Sequence, residues 1–379
     1  MRRLNLDLDE IPIGDSLFRF SRTLPGGVLF PRLEWLRWGI DESYTHIPIF
    51  SLFLPPHLKR VILYYNTSPR PMRPLPLPKI LIQIISSLPT SLEDLSVMCH
   101  GGRGEEPLKD AISSFVCRCG PSLRRIGTSV PISEAALHYL MRLPNLSSWR
   151  TVQGPPRVIP TFIFPSLDEL RLDKQETLPW LHLLPSHQRG TLQNGSTSTT
   201  SDANTRGTLK TLDLPATTTV DSTLLSSFAR FWNLVTLRVR TRRSSGMEGC
   251  TFYFTDNDVE NLASALPRLN SLRLGVPCDG GSCSTTIASL MSVSVHCLDL
   301  EVLEIHFNTR TIVGDIRHML DGDAGRDKAK CQLQRLSVGS LLLQARGEDI
   351  KSIAMGLKVI FPHLKNIAGC HSRWRRVNV

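Results

Sequence analysis

Two cysteine pairs, Cys117-x-Cys119 and Cys278-x4-Cys283, and the dipeptide Cys99-His100 are where metal-ligand residue types stand close together in this chain of 379 residues. A structural zinc site needs four ligands, commonly two such pairs at a set separation, and neither pair has its counterpart. The first pair falls on a helix end and Cys99-His100 falls just after a strand, so core packing accounts for them and no metal is expected. Nine cysteines, an odd and scattered number, without a secretory leader in view, read as free thiols of a reducing cytosol or nucleus. Nucleophile elbows, His-Glu-x-x-His helices, phosphate loops and dinucleotide fingerprints are missing, and the eleven histidines are dispersed. Gly101-Gly-Arg-Gly104 reads as a loop tip. The expectation is therefore a non-enzymatic chain with no cofactor. What remains is charge: 44 Lys+Arg against 34 Asp+Glu gives +10, which suits an acidic partner or nucleic acid without choosing between them.

The elements that would position this charge come from a repeated phrase. An apolar anchor, two residues, an apolar residue, one residue and usually another aliphatic recur as LEWLRW from Leu33, LKRVIL from Leu58, LEDLSV from Leu92 and LRRIGT from Leu123. The series continues through Leu146, Leu167, Leu209, Leu234, Leu269, Leu300, Leu333 and Leu364. Twelve anchors over 331 residues give a mean period of about 30, the range of helix-containing solenoids. The fourth position tests the pattern independently and is apolar in all twelve: Leu36, Val61, Leu95, Ile126, Trp149, Leu170, Leu212, Leu237, Leu272, Leu303, Leu336 and Ile367. Chance would supply about five. Proline stands two residues before the anchor at Pro31, Pro56, Pro121, Pro144, Pro165, Pro267 and Pro362, marking where a helix ends and a strand begins.

Helix-period segments lie between the phrases, among them 79–87, 108–117, 133–142, 256–266 and 349–360, with caps at Ser133 and at Thr255 followed by Asp258. In each strand the first, fourth and sixth positions point inward and the third and fifth outward. The outward positions hold Arg37, Arg60, Arg125, Arg150, Arg171, Arg238, Arg273 and Arg335, against Asp94, Glu169, Asp213 and Glu304. Arginine's planar donor fork suits carboxylate and phosphate. Arg37, Arg150, Arg171, Arg238 and Arg273, all at fifth positions, are thus the candidate binding residues of a basic groove. The bland alternative is an ordinary exposed face partly neutralised by those acids. A nucleic-acid groove, using also Arg240, Arg242, Arg243 and Arg373-Trp-Arg-Arg376, ranks third because no nucleic-acid module is present.

FPRLEWLRW, LPNLSSW and LPRLNSLRL resemble the degenerate leucine-rich repeats of fungal F-box proteins. The resemblance implies an α/β fold: an irregular leucine-rich-repeat solenoid of about twelve helix–strand repeats, parallel strands on the concave face. It further implies a substrate receptor that holds a protein target while an F-box docks the adaptor of a cullin–RING ubiquitin ligase, in cytoplasm or nucleus. Two departures stand out. The asparagine that usually follows the strand is found only at Asn66 and Asn308, so the stack must be held mainly by apolar packing. No F-box is evident either: Leu4, Leu6 and Leu8 alternate as in a strand, and DEIP at Asp9–Pro12 is too weak a match. The module has been lost, or lies upstream, or the ligase link never existed and the chain is a structural remnant.

The anchors are spaced 21 to 42 residues apart. The longest step contains 188–207, QRGTLQNGSTSTTSDANTRG, which has too little apolar surface to offset its ordering entropy. It is expected to be a disordered insertion within one solenoid spanning 1–379, a two-domain linker being the rival. The proline-rich 68–78 reads as a stiff turn. No run of eighteen apolar residues occurs, which excludes a membrane-spanning helix.

Overall fold

The computed structural model describes residues 2–6, 28–40, 47–66, 77–100, 105–155, 164–173, 179–183, 208–217, 219–241, 251–274, 285–305, 314, 331–338, 347–369 and 377–378. They fall into two compact units, Met1–Leu183 and Leu184–Val379. The segment 188–207, the pair Cys278 and Cys283, Asn308, and the arginines Arg242, Arg243 and Arg373–Arg376 lie outside the described residues.

In the first unit seven strands pair in chain order, each parallel to the next. They are β1 (Arg3–Leu6), β2 (Trp35–Ile40), β3 (Arg60–Asn66), β4 (Asp94–His100), β5 (Arg125–Thr128), β6 (Ser148–Thr151) and β7 (Glu169–Leu172). A 3-10 stretch (Ile47–Phe53) and helices α1 (Leu77–Ser87), α2 (Glu105–Cys119) and α3 (Glu134–Met141) lie between strands, and α4 (Trp180–Leu183) follows β7. The second unit has β8 (Thr211–Thr217), β9 (Thr219–Asp221), β10 (Thr236–Thr241), β11 (Thr251–Tyr253), β12 (Ser271–Arg273), β13 (Val302–Ile305), β14 (Arg335–Val338), β15 (Asn366–Gly369) and β16 (Val377–Asn378). Its parallel sheet runs β8-β10-β12-β13-β14-β15 and ends with β16 antiparallel to β15, while β9 and β11 form a separate parallel pair. Helices α5 (Ser222–Phe228), α6 (Asp256–Ala265), α7 (Ile287–His296) and α8 (Gly347–Ile360) supply crossovers, as parallel neighbours require. Every repeated phrase is a strand, and the chain is a mixed α/β protein of parallel strands alternating with helices. Among the described residues no helix is long and apolar enough to cross a membrane.

The register explains the sequence pattern. Fourth-position residues pair with one another: Leu36, Val61, Leu95, Ile126, Trp149 and Leu170 in one unit, and Leu212, Leu237, Leu272, Leu303, Leu336 and Ile367 in the other. None of these twelve is more than 2% exposed, and each such side chain stabilises by about 1.5–3 kcal/mol.

The prolines have a more specific place than a helix stop. Anchor N–H groups donate to the carbonyl three residues back, Leu33 to Phe30, Leu58 to Pro55, Leu123 to Gly120, Leu167 to Phe164, Leu269 to Leu266 and Leu364 to Phe361. Pro31, Pro56, Pro121, Pro165, Pro267 and Pro362 therefore occupy the second position of a β-turn, where their fixed φ is already correct. One residue past the anchor, a carbonyl receives two N–H groups from the next strand. Glu34 O accepts from Lys59 and Arg60, Lys59 O from Glu93 and Asp94, Glu93 O from Arg124 and Arg125, and Asn270 O from Glu301 and Val302. This shared carbonyl recurs at the entries of β2 to β7 in the first unit and of β10 and β12 to β15 in the second.

Side chains at the turns add polar rungs. Ser91 Oγ donates to Pro56 O (2.7 Å), Ser122 Oγ to Thr90 O (2.8 Å) and Asn270 Nδ2 to Asp299 O (3.2 Å). The buried thiols of Cys297 and Cys331 donate to carbonyls of the preceding repeat, Cys331 to Cys297 O at 3.3 Å. Polar turn contacts thus add to the apolar packing that holds the stack. The step from Leu146 to Leu167 is the shortest, 21 residues, and aromatic rings fill the layer there. Trp149 meets Phe164 at 5.0 Å and Trp180 edge-on at 4.8 Å between ring centroids. Phe164 has a φ of 53°, a strained value for a bulky residue, held in place by its burial and by its N–H bond to Met141 O (2.8 Å).

Candidate functional site: the arginine rows

Pleating puts third, fifth and seventh strand positions on one face. Register then aligns the fifth positions into rows: Asn5, Arg37, Ile62, Ser96, Gly127, Arg150 and Arg171 in the first unit, and Asp213, Arg238, Arg273, Glu304, Ser337 and Ala368 in the second. All five candidate arginines lie in these rows. Arg150 and Arg171 are neighbours, Arg238 and Arg273 are neighbours, and Arg37 stands apart, its guanidinium 4.7 Å over the Tyr64 ring.

The arginines differ sharply in what holds them. Asp94 sits between Arg60 (2.9 Å) and Arg125 (3.9 Å), with only 14% of its side chain exposed. Asp173 takes Arg150 at 2.6 Å and Arg171 at 3.6 Å, with 12% exposed. Asp213 accepts from Arg240 Nε at 2.8 Å. The carboxylates are sunk into the face and the guanidiniums spread over them. Burial pushes the Asp94 carboxyl above its ordinary range, although Arg60 and Arg125 both pull it down. Glu304 behaves alike, raised by burial against Arg273 and Arg238.

Asp173 and Arg240 are functional neighbours that the repeated phrase misses, since both stand at the seventh position. The signal is that the alternation continues one step further, in LRLD and LRVR. Pro215 in β8 has no N–H to give the ladder, and pairing slips between Val239 and Thr241. Asp213 is the register partner of Arg238, yet the carboxylate is engaged by Arg240. Among the described residues, the guanidinium groups of Arg238, Arg273 and Arg335 make no hydrogen bond and no ion pair. Arg238 and Arg335 are exposed and Arg273 is half-buried.

The cysteine candidates separate. Cys117 is exposed while Cys119 is buried with its thiol toward Pro89 O at 3.9 Å. Cys99 and His100 belong to β4 rather than following it, and Cys99 N–H donates to Ser129 Oγ at 2.6 Å. Among the described residues no group of three or more His, Cys, Asp or Glu could hold a metal ion. Against known proteins, no family model matches the chain and no curated protein matches it.

Proposed function

We propose that the chain is a non-enzymatic protein-interaction scaffold of the leucine-rich-repeat solenoid kind, similar in plan to the substrate-receptor part of fungal F-box proteins. The observation that carries this reading is the pair Arg238 and Arg273, in register on adjacent strands and without ion-pair partners among the described residues. In this reading the strands line a concave surface, and the arginines bind an acidic or phosphorylated segment of a protein target in cytosol or nucleus. Coupling to a cullin–RING ligase is the further step, made through its adaptor. The ion pairs that Asp94 and Asp173 make with four first-unit arginines interrupt a continuous phosphate track, which argues against a nucleic-acid groove.

Affinity capture from the native cell, with wild type against Arg238→Glu plus Arg273→Glu, tests this. The double variant is expected to keep its circular dichroism and lose specific protein partners. Recovery of the ligase adaptor with wild type supports the receptor role. Identical partner sets for the two proteins would remove the arginine surface from the reading, and nucleic acid in place of proteins would replace it.

A further inference from the structure

We infer that Arg238 and Arg273 form a receptor for a single phosphomonoester, the phosphate of a phosphorylated serine or threonine on a protein segment. The inference rests on the scaffold function proposed above and narrows its ligand. Arg238↔Arg273 are direct register partners on β10 and β12, so their Cα atoms stand about 4.8 Å apart. Each is flanked by buried residues, Leu237 and Val239 for one and Leu272 and Leu274 for the other, so both project from the same face.

Like charges directly opposed on neighbouring strands repel. The other directly opposed pair, Arg150 and Arg171, is relieved by Asp173, which takes both, while Arg60 and Arg125 stand two strands apart with Asp94 between them. Among the described residues neither Arg238 nor Arg273 has a carboxylate within ion-pair distance, although Glu304 attracts both from further away. Asp213 on one side is engaged by Arg240 at 2.8 Å. Glu304 on the other side is the register partner of Arg273, and among the described residues it makes no ion pair. The close bridging carboxylate that Arg150 and Arg171 share has no counterpart here, which leaves that place for an anion from outside.

The geometry also selects the anion. A phosphomonoester carries a charge of about −1.5 to −2 at neutral pH and three strong acceptor oxygens, enough for two guanidinium forks. A carboxylate has one charge and two oxygens, so it can bridge two guanidiniums only by giving each a single oxygen, as Asp173 does with Oδ2 to Arg150 and Oδ1 to Arg171. The row reads Asp213, Arg238, Arg273, Glu304, so a carboxylate closes it at each end. A compact phosphate fits between these ends, whereas an extended polyanion following the row would meet like charge on both sides.

Fluorescence anisotropy with the full chain provides the test, using two labelled Gly-Ser peptides that differ only in carrying one phosphoserine or one glutamate. The phosphoserine peptide is expected to bind about tenfold or more tightly than the glutamate peptide, as its larger charge and third acceptor oxygen imply. Inorganic phosphate should displace it. Arg238→Gln plus Arg273→Gln should abolish binding, Arg273→Lys should weaken it by keeping charge without the fork, and Arg124→Gln, loss of one charge in the first unit, should leave it intact. Melting curves verify that the variants fold, and Arg273→Lys retains a readout should the double variant not. Equal affinity for the two peptides overturns the phosphate receptor while leaving an acid-binding scaffold standing. Phosphopeptide binding that survives in the double variant, or no binding of either peptide, overturns the receptor outright, and the capture experiment then judges the scaffold separately.

Discussion

Sunken carboxylates set the charge behaviour of individual residues on the strand faces. Glu304 illustrates it: burial holds its carboxyl above the ordinary 4.5, while Arg273 and Arg238 pull the other way. A carboxyl with a folded pKa above its unfolded one favours the folded chain below the unfolded value, and that advantage is lost as pH rises through the folded value. Glu304→Gln should therefore raise the melting midpoint at pH 7, with the gain disappearing below about pH 4.5. Thermal melts at both pH values check this, and a lower midpoint at pH 7 would mean that the arginines outweigh burial. The thiols give a second residue-scale expectation. Burial pushes Cys297 up to about 12, with neighbouring Cys331 adding to it, and pushes Cys331 up to about 11. At pH 8 neither forms appreciable thiolate, so alkylation followed by mass spectrometry should label exposed Cys117 ahead of Cys297 and Cys331, which stay protected until unfolding. Which arginines are neutralised was not legible in the phrase itself, because the deciding acid, Asp173, lies beyond it and pairs across strands.

Among the elements, helix starts were the most readable. Ser133 accepts from Ala136 N at 3.2 Å, and Thr255 and Asp258 complete a reciprocal capping box on α6. Helix α7, IASLMSVSVH, escaped the periodicity reading for a physical reason. Its inward positions include Ser289 and Ser294, whereas Met291 and Val295 face out, so polar and apolar residues are exchanged relative to a simple amphipathic helix. Ser289 is tolerated inside because Asp256, in the first turn of α6, accepts from its hydroxyl. Asp256 also accepts from Thr286 N–H and Thr286 Oγ1, each at 2.7 Å. One carboxylate thus fastens the start of α7 to the start of α6. Asp256→Ala leaves these donors unsatisfied and should cost about 1–3 kcal/mol, read as a lower denaturant midpoint with unchanged slope. A midpoint within experimental error of wild type would show that the clamp is ornamental.

At the scale of the whole molecule, the apolar fourth position specified the sheet. Register can slip only by exchanging its faces, and two rows of fully buried side chains forbid that. Leu212, with no exposed surface in β8, offers a direct test. Aspartate there would be an unpaired buried charge costing several kcal/mol, and Leu212→Asp should abolish slow amide exchange along β8 and β10. A mutant with wild-type protection would contradict the shared core. The segment 188–207 makes the opposite prediction from its composition. Its removal should leave the melting midpoint within a few degrees, since long surface insertions contribute little to stability. The tiny β9–β11 pair was invisible in the sequence because three-residue strands carry too few positions to show a period.

The carbonyl that receives two N–H groups at a strand entry depends on no side chain. Glu34, Lys59, Glu93, Val235, Asn270 and Gln334 all provide it, spanning acid, base, amide and aliphatic. The joint between successive repeats is consequently a standard coupling, indifferent to the residue that carries it and to the length of chain, 21 to 35 residues, looped out between couplings. A gene built this way can gain, lose or lengthen a repeat by unequal recombination without rewriting its neighbours. It can also let surface residues drift until little of the ancestral phrase survives beyond its apolar beat.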